Sequence, residues 1–307
     1  MSSAAPDAPR LPLDSSAVGL MLFLTMLWGL QGVAIKLAMP GVSPVAQAAI
    51  RSLVAALLLL LWARARGIGL WQPGHARDGT LAAGIGAGVL FAGEFSFIYA
   101  GLAHTTASRM VVFLYLAPIL TALGLAWLVP GEKLSARQWA GVLVAFGGLV
   151  LAFLDGLVAP VGPSTLRGDA YALIAAFLWA ATTVLVRKSA LSHANAETTL
   201  LYQLGVSAPL LALAAWLLGE RGITHLDATV LASLAFQSVV VAFASYLAWF
   251  WLLTRYLAGR LSAFSFLAPM FGVIFGVLLL GEPLGARFVL AALLVGAGIA
   301  LVNLRRG

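Results

Sequence analysis

The chain has 307 residues, of which 62% are hydrophobic and only 9% are charged. Soluble domains carry about 25% charged residues, so this composition cannot cover an apolar core with a polar surface. It therefore predicts an integral membrane protein. The net charge of +7 comes from scattered basic residues rather than from a cluster, which disfavours a nucleic-acid partner. The chain has no cysteine, so disulfides, thiol catalysis and cysteine-ligated metals are excluded.

Ten apolar runs of about 20 residues follow one another along the chain, and each is long enough to cross a hydrocarbon core of about 30 Å as a helix. The predicted spans are 17–38, 44–63, 79–102, 106–129, 135–154, 168–186, 196–218, 228–253, 258–280 and 285–304. Residues 1–16 lack the basic segment and cleavage site of a secretory signal, and we expect a short cytoplasmic tail there. The Gly- and Pro-containing segment 156–167 is predicted to be a linker.

Landmarks of the first half of the chain recur 151 residues later in the second half. The matched positions are Trp28 and Trp179, Lys36 and Arg187, Phe95 and Tyr246, Tyr99 and Phe250, Arg109 and Arg260, and Leu116–Pro118 and Leu267–Pro269. Such a duplication predicts that residues 17–155 and 168–304 are copies of one structural unit. Because each copy holds five spans, an odd number, the second copy enters the membrane from the opposite side. Inverted repeats of this kind are typical of secondary transporters.

The distribution of Lys and Arg predicts how the chain is oriented. If the amino terminus is cytoplasmic, the segments on that side hold twelve of these residues and the opposite side holds five. Basic residues favour the cytoplasmic side of a membrane, so we expect both termini to lie in the cytoplasm.

Two charged residues lie well inside predicted spans, where each costs about 2.5–3.5 kcal/mol near a helix centre. Glu94 has apolar and aromatic neighbours, and it could contact a substrate ammonium group or carry a proton. The alternative is a structural pair with Arg51, or a hydrogen bond that locks two helices. Arg51 lies about two turns into its span, and we expect it to form a pair or to extend its stem to the outer interface.

Polar and aromatic residues at helical spacing predict an internal cavity. Trp28 and Gln31 are three residues apart and share a helix face, and the matching helix of the second repeat has the same arrangement. The candidate substrate-binding residues are Trp28, Gln31, Glu94, Tyr99, Trp179, Thr182, Thr183, Tyr246 and Trp249. Aromatic walls with a few hydrogen-bonding groups suit a small amphipathic solute. The alternative for the aromatic residues is an interfacial belt.

A second set of repeated residues predicts gates and hinges. Arg109 and Arg260 lie early in the fourth and ninth spans, so each is either a gate residue near one mouth of the path or an interfacial anchor. Pro118 and Pro269 lie mid-span, where a proline bends the helix and frees a backbone carbonyl. Glycines thin several spans and predict close helix packing, at Gly84, Gly88, Gly141, Gly147, Gly148, Gly272, Gly276, Gly296 and Gly298.

Several sequence motifs are missing. The chain has no GxxxxGK[ST] loop for ATP, no HExxH metal motif and no TVGYG-type filter, and its four histidines are dispersed. We therefore expect no cofactor, no bound metal and no enzymatic activity.

The repeated residues also resemble a known family. Trp28 and Trp179, the two mid-span Ala-Pro pairs, and the turns Gly131-Glu132 and Gly281-Glu282, each followed by a Gly/Ala-rich span, are similar to the EamA type of the drug/metabolite transporter superfamily. More generally the chain looks like bacterial YddG-type aromatic amino acid exporters. This resemblance implies that spans one to four and six to nine surround a central cavity, that spans five and ten are peripheral, and that the protein lies in a bacterial inner membrane.

Together these observations predict a ten-helix carrier that exports amino acids, preferentially aromatic or apolar ones, by alternating access. The predicted partners are a small-molecule substrate and the lipid bilayer. Export of drugs or other metabolites is the alternative, and nucleotide sugars would require more cationic groups in the cavity. A channel is the competing class, and the sequence leaves the oligomeric state open.

Overall fold

The structure is a computed structural model of the chain, and the residues described are 11, 13–70, 79–281 and 285–303. The regular structure in these residues is helical. The helices of the first half are α1 (Ser15–Ala38), α2 (Pro44–Ala65), α3 (Thr80–Leu102), α4 (Ala107–Leu114), α5 (Ala117–Leu128), α6 (Ala136–Ala152) and α7 (Leu154–Val158). Those of the second half are α8 (Pro163–Lys188), α9 (Ala196–Leu217), α10 (Ala228–Ala235), α11 (Tyr246–Arg255), α12 (Ala258–Phe264), α13 (Leu267–Leu280) and α14 (Phe288–Asn303).

These helices form ten apolar spans, which confirms the predicted all-α membrane fold. Eight helical spans are long and apolar enough to cross a membrane, with α4 and α5 making one of them, α10 and α11 another, and α12 and α13 a third. The remaining two, α6 and α14, are shorter apolar helices of 17 and 16 residues. Helices α7 and α8 extend into the segment 156–167, which the sequence predicts to be a linker.

Side chains at the helix starts fix where several spans begin. Ser135 and Gln138 form a capping box at α6, in which the Ser135 side chain accepts from the Gln138 backbone N–H and the Gln138 side chain accepts from the Ser135 N–H. Asn195 accepts from the Thr198 N–H at 2.8 Å at α9, and Asp227 caps α10 in the same way. Each cap satisfies a backbone donor that would otherwise lack a partner, at a benefit of about 1 kcal/mol.

The spans of the two repeats interleave. Short loops join successive spans, so the spans alternate in direction; α1 runs from what we call the α1-start face to the α1-end face. Because five spans precede it, α8 runs the opposite way. Helix α1 packs against α13, and its repeat equivalent α8 packs against α5. Helix α3 likewise packs against α9, as α2 packs against the segment between α10 and α11. Such exchanged pairs are what an inverted repeat requires.

Glycines bring α6 and α14 into close contact. A Cβ placed on Gly141 would lie 2.6 Å from the carbonyl oxygen of Gly298, and one on Gly148 would lie 2.8 Å from that of Ala291. Gly147, in contrast, has no atom within 4 Å of such a Cβ. The two helices therefore pack through one glycine face each, and neither of them lines the cavity described below.

Spans four, eight and nine depart from regular α-helix. Span four is interrupted at residues 115–116, which include the first residue of the triplet Leu116–Pro118. Span nine is interrupted at residues 265–266, directly before the triplet Leu267–Pro269. Pro118 then occupies the first turn of α5, where a proline needs no intrahelical hydrogen bond. Span eight contains ten residues of π-helix, Phe236–Ser245. Its repeat equivalent in α3 is α-helical throughout.

Candidate functional site

A cavity of about 890 Å³ lies among the spans of both repeats. All nine candidate substrate-binding residues of the sequence analysis line it, namely Trp28, Gln31, Glu94, Tyr99, Trp179, Thr182, Thr183, Tyr246 and Trp249. They come from α1, α3, α8 and α11, so the helical spacing correctly grouped side chains that face one space. Their role in binding a substrate stays a prediction.

The cavity is open at one end only. At the α1-end face its lining includes Met39 and Leu102, which are 49% and 41% exposed. At the other end its lining includes Phe250 and Leu253, which are 5% and 3% exposed. A solute can therefore enter from the α1-end face, while packed side chains close the α1-start face.

One wall of the cavity is built around Trp28. Its indole lies edge-on to the ring of Trp249, with centroids 5.8 Å apart, and its Nε1 donates a hydrogen bond of 3.0 Å to Ser245 Oγ. The Ser245 hydroxyl itself donates to the Val241 carbonyl at 2.6 Å. These bonds hold the indole in one orientation beside the open space.

Another part of the cavity wall is a row of aromatic rings along α3. Phe91 and Phe95 are 4.8 Å apart, Phe95 and Tyr99 are 6.4 Å apart, and Phe91 reaches across to Tyr246 at 6.2 Å. Sequence reasoning left Phe91 and Phe95 out of the site, although their spacing of four residues places them on one helix face. Tyr115 was also missed; it lies edge-on to Trp179 at 5.6 Å and lines the cavity.

Glu94 is the buried acid of this cavity. It is only 7% exposed, and no hydrogen bond or ion pair reaches it from the residues that the structure describes. Its repeat equivalent, Ser245, is instead fully engaged by Trp28 and Val241. The two repeats thus differ at this position, and the carboxylate of Glu94 is left facing the cavity as a hydrogen-bond acceptor.

Two expectations for Arg51 are wrong. The side chain does not extend to the interface, because Arg51 is 1% exposed and lies among the most deeply buried side chains of the chain. It makes no ion pair with Glu94 in the described structure. Its guanidinium instead lies over the ring of Phe95, with Cζ 4.2 Å from the ring centroid.

The predicted gate arginines lie outside the cavity lining and have different surroundings. Arg109 Nε donates to both carboxylate oxygens of Asp169 at 3.1 Å, and its Nη1 donates to the Leu157 carbonyl at 2.7 Å. Thr105 also donates to Asp169, at 2.9 Å. Arg260 has no such acid, and its buried Nε lacks a hydrogen-bond partner among the described residues. Of the two hinge prolines, Pro118 lines the cavity and Pro269 does not.

A buried ion pair that the sequence analysis did not single out fastens the closed end. Arg187 Nε donates to Glu132 Oε1 at 3.0 Å, and Arg187 Nη1 donates to the Leu253 carbonyl at 3.1 Å. The backbone N–H of Ala258 also points to Glu132 Oε1, at 3.4 Å. The pair joins the end of α8 to the turn after α5 and to the ends of α11 and α12. Two features of the sequence point to this pair, namely the Gly131-Glu132 turn and the basic position that Lys36 and Arg187 share in the two repeats.

At the open end, an acid that also lines the cavity joins the loop after α9 to the start of α2. Glu220 accepts hydrogen bonds of 3.0 Å from the backbone N–H groups of Val45 and Ala46, at the start of α2. A carboxylate at a helix N-terminus is favoured by the unpaired N–H groups and by the helix dipole.

No group of three or more His, Asp or Glu residues suited to a metal occurs in the part of the chain that the structure describes.

The similarity of this chain to known proteins extends over both repeats. A model of the EamA-like transporter family matches residues 15–154 and again residues 166–304. An "uncharacterized transporter" of Archaeoglobus fulgidus is 28% identical over 301 residues, covering 95% of this chain and 99% of the relative. A "probable amino-acid metabolite efflux pump" of Salmonella typhimurium is 26% identical over 293 residues, covering 91% and 92%. A solved crystal structure has the same fold, with a TM-score of 0.76 at 24% identity, covering 94% of this chain and 97% of that chain.

Proposed function

The chain belongs to the EamA-like transporter family, and on that premise we propose that it exports amino acids, preferentially aromatic or apolar ones, by alternating access. Glu94 and the Gln and Thr side chains contact the charged backbone groups of the substrate. Trp28, Trp179, Tyr246 and Trp249 pack against its side chain. The protein lies in a bacterial inner membrane with both termini in the cytoplasm.

The observation that carries this proposal is a buried carboxylate, Glu94, in a cavity whose walls are otherwise mainly aromatic and aliphatic. An ammonium group satisfies such a carboxylate through charge-assisted hydrogen bonds. The aromatic rings supply apolar contact area and attract a cation at their faces. Among the described lining residues Lys36 is the only basic one, which disfavours phosphorylated substrates such as nucleotide sugars.

The shape of the cavity supports alternating access. In the present state the path is open at the α1-end face and closed at the α1-start face, where Arg187 and Glu132 pair. Because the repeats are inverted, exchanging their conformations produces a state that is open at the other face. With the orientation expected from the basic residues, the present state opens away from the cytoplasm. Two relatives, from Salmonella typhimurium and Escherichia coli, are each named "probable amino-acid metabolite efflux pump", which supports the direction of transport.

Counterflow in liposomes tests the proposal. Purified protein is reconstituted with unlabelled L-tryptophan or L-phenylalanine inside, and labelled substrate is added outside. We expect transient accumulation of label that saturates with concentration, and a loss of about tenfold or more in Glu94→Gln because a charged hydrogen bond is removed. Asp155→Asn, which changes an exposed carboxylate, is the matched control and keeps full activity. Absence of counterflow for every amino acid would refute the substrate class, and ion conductance without saturation would indicate a channel.

A further inference from the structure

Arg51 is a buried cation without a fixed partner. It is 1% exposed, and none of its three guanidinium nitrogens makes a hydrogen bond of normal geometry within the described residues. The Tyr246 side chain lies close enough to interact with it. Arginine stays protonated even when buried, so a full positive charge lies here with no hydrogen-bonded or ion-paired anion among the described residues.

An unpaired charge in this position is costly for the fold. The ring of Phe95 compensates part of the cost through its face, but a ring cannot replace the two hydrogen bonds that a carboxylate would accept from a guanidinium. Ionisable residues inside membrane spans usually serve a transport path for this reason. The arrangement therefore indicates that an anionic group occupies this position during part of the cycle.

Arg51 and Glu94 lie at the same depth. Arg51 is seven residues from the start of α2 and Glu94 is eight residues from the end of α3, and both helix ends lie at the α1-end face. At 1.5 Å per residue, both side chains start about 10–12 Å below that face. The charge of Arg51 acts on Glu94, Tyr99 and Tyr246, which all line the cavity. Arg51 does not itself line the cavity, but the ring of Phe95, which is a lining residue, lies over its guanidinium.

We propose that Arg51 binds the carboxylate of the transported molecule after the Phe95 ring has moved off the guanidinium. This inference rests on the proposed function, and it assigns the residue that recognises the carboxylate of the amino acid. Glu94 binds the ammonium and Arg51 the carboxylate, so the two side chains together match a zwitterion. In the present structure the Phe95 ring lies over the cation. Amines without a carboxylate bind to Glu94 alone and leave Phe95 in place.

Three indole compounds separate these contacts in a binding experiment. L-tryptophan has both charged groups, tryptamine lacks the carboxylate, and indole-3-propionate lacks the ammonium. Their dissociation constants are measured by titration calorimetry on purified full-length protein in detergent, for the wild type, Arg51→Gln, Arg51→Lys and Glu94→Gln. Arg66→Gln removes an exposed arginine that directly follows the same helix and is the matched control.

The expected result is a crossed pattern. Arg51→Gln weakens tryptophan and indole-3-propionate about tenfold or more and leaves tryptamine within about twofold. Glu94→Gln weakens tryptophan and tryptamine and spares indole-3-propionate. Arg51→Lys keeps the charge but loses the two-point geometry, so it weakens the two carboxylates less than Arg51→Gln does. This variant also provides the measurement if Arg51→Gln fails to fold.

Other results overturn the inference. Arg51 is only structural if its variants weaken all three compounds equally, or if they leave the carboxylates unaffected. The inference also fails if the wild type binds neither carboxylate. The proposed function is judged separately by counterflow. Arg51-dependent binding of indole-3-propionate without amino acid transport would uphold the anion site and refute the proposed substrate. Amino acid transport that is unaffected by Arg51→Gln would uphold the proposed substrate and refute the anion site.

Discussion

Tyr115 and Phe266 are equivalent residues of the two repeats, and their rings contact each other with centroids 6.4 Å apart. Equivalent residues can touch only near the axis that relates the repeats, so this axis passes between the two rings. Both residues lie at the helix breaks of spans four and nine. The breaks therefore meet at the centre of the protein, where Tyr115 also forms part of the cavity wall.

This contact predicts that the Phe266 ring contributes to the stability of the fold and that the Tyr115 hydroxyl is not needed for transport. Phe266 is fully buried, so Phe266→Ala should lower the free energy of unfolding by about 3–5 kcal/mol. Tyr115→Phe should transport within about twofold of the wild type, because no hydrogen bond to the Tyr115 hydroxyl is formed by the described residues. Thermal unfolding in detergent and counterflow measure the two effects. A large loss of transport in Tyr115→Phe would show that the hydroxyl has a role of its own.

Breaking the pair of Arg187 and Glu132 should favour the state that is open at the α1-start face. The bonds to Glu132, Leu253 and Ala258 join several spans at that face, so they stabilise only the closed arrangement. The chain has no cysteine, and Ser262→Cys places a single thiol in the buried lining near that end. A membrane-impermeant maleimide added from the α1-start face should label this thiol faster when Arg187→Gln is also present.

The control for this labelling experiment is Lys133→Gln. It removes an exposed charge next to Glu132 in the same turn, and it should leave the labelling rate of Cys at position 262 unchanged. Equal labelling in Arg187→Gln and in the control would mean that the ion pair does not hold the face closed.

The bond between Arg109 and Asp169 should contribute to stability far more than an exposed pair. Removing one partner leaves a buried charge uncompensated, so Asp169→Asn should cost about 3–5 kcal/mol. The double variant Arg109→Gln/Asp169→Asn should cost less than the sum of the two single variants. Asp155→Asn breaks an exposed pair with Arg287 and should cost at most about 1 kcal/mol. Equal losses in Asp169→Asn and Asp155→Asn, measured by thermal unfolding, would contradict the structural role.

Two glycines of α6 provide a matched test of helix packing. Gly141→Ala places a Cβ 2.6 Å from the Gly298 carbonyl oxygen, so α14 must move and the free energy of unfolding should fall by about 1–3 kcal/mol. Gly147→Ala meets no atom within 4 Å and should be neutral or stabilising by up to about 1 kcal/mol, since Ala is the better helix former. Similar unfolding temperatures for both variants would show that the close contact does not form.

The composition and the repeats predicted the fold and nine of the residues that line the cavity, because helical spacing decides which side chains share a face. Trp28 and Gln31 illustrate this, since three residues of separation suffice to place both on the cavity side. The same spacing does not give the depth to which a helix is enclosed by distant spans. The expectation that Arg51 either forms a pair or extends to the outer interface is therefore wrong, because its burial depends on packing that no local pattern encodes.

Ion pairs between distant segments were equally invisible in the sequence. Arg187 and Glu132 are 55 residues apart, and Arg109 and Asp169 are 60 apart. The repeats marked both arginines as landmarks, but they did not show which acid each would meet. Arg260 demonstrates the limit, because it occupies the position equivalent to Arg109 and yet has no Asp beside its Nε.

Helices α6 and α14 come from opposite repeats, and each covers the glycine face of the other. Half of this chain alone would therefore present a narrow groove to lipid in place of a partner helix. It could recover the fold only by meeting a second copy of itself inserted upside down, and that would require the half to enter the membrane in both orientations in similar numbers. The covalent connection between the halves removes this requirement, because it fixes the ratio of upright to inverted units at one to one in every molecule.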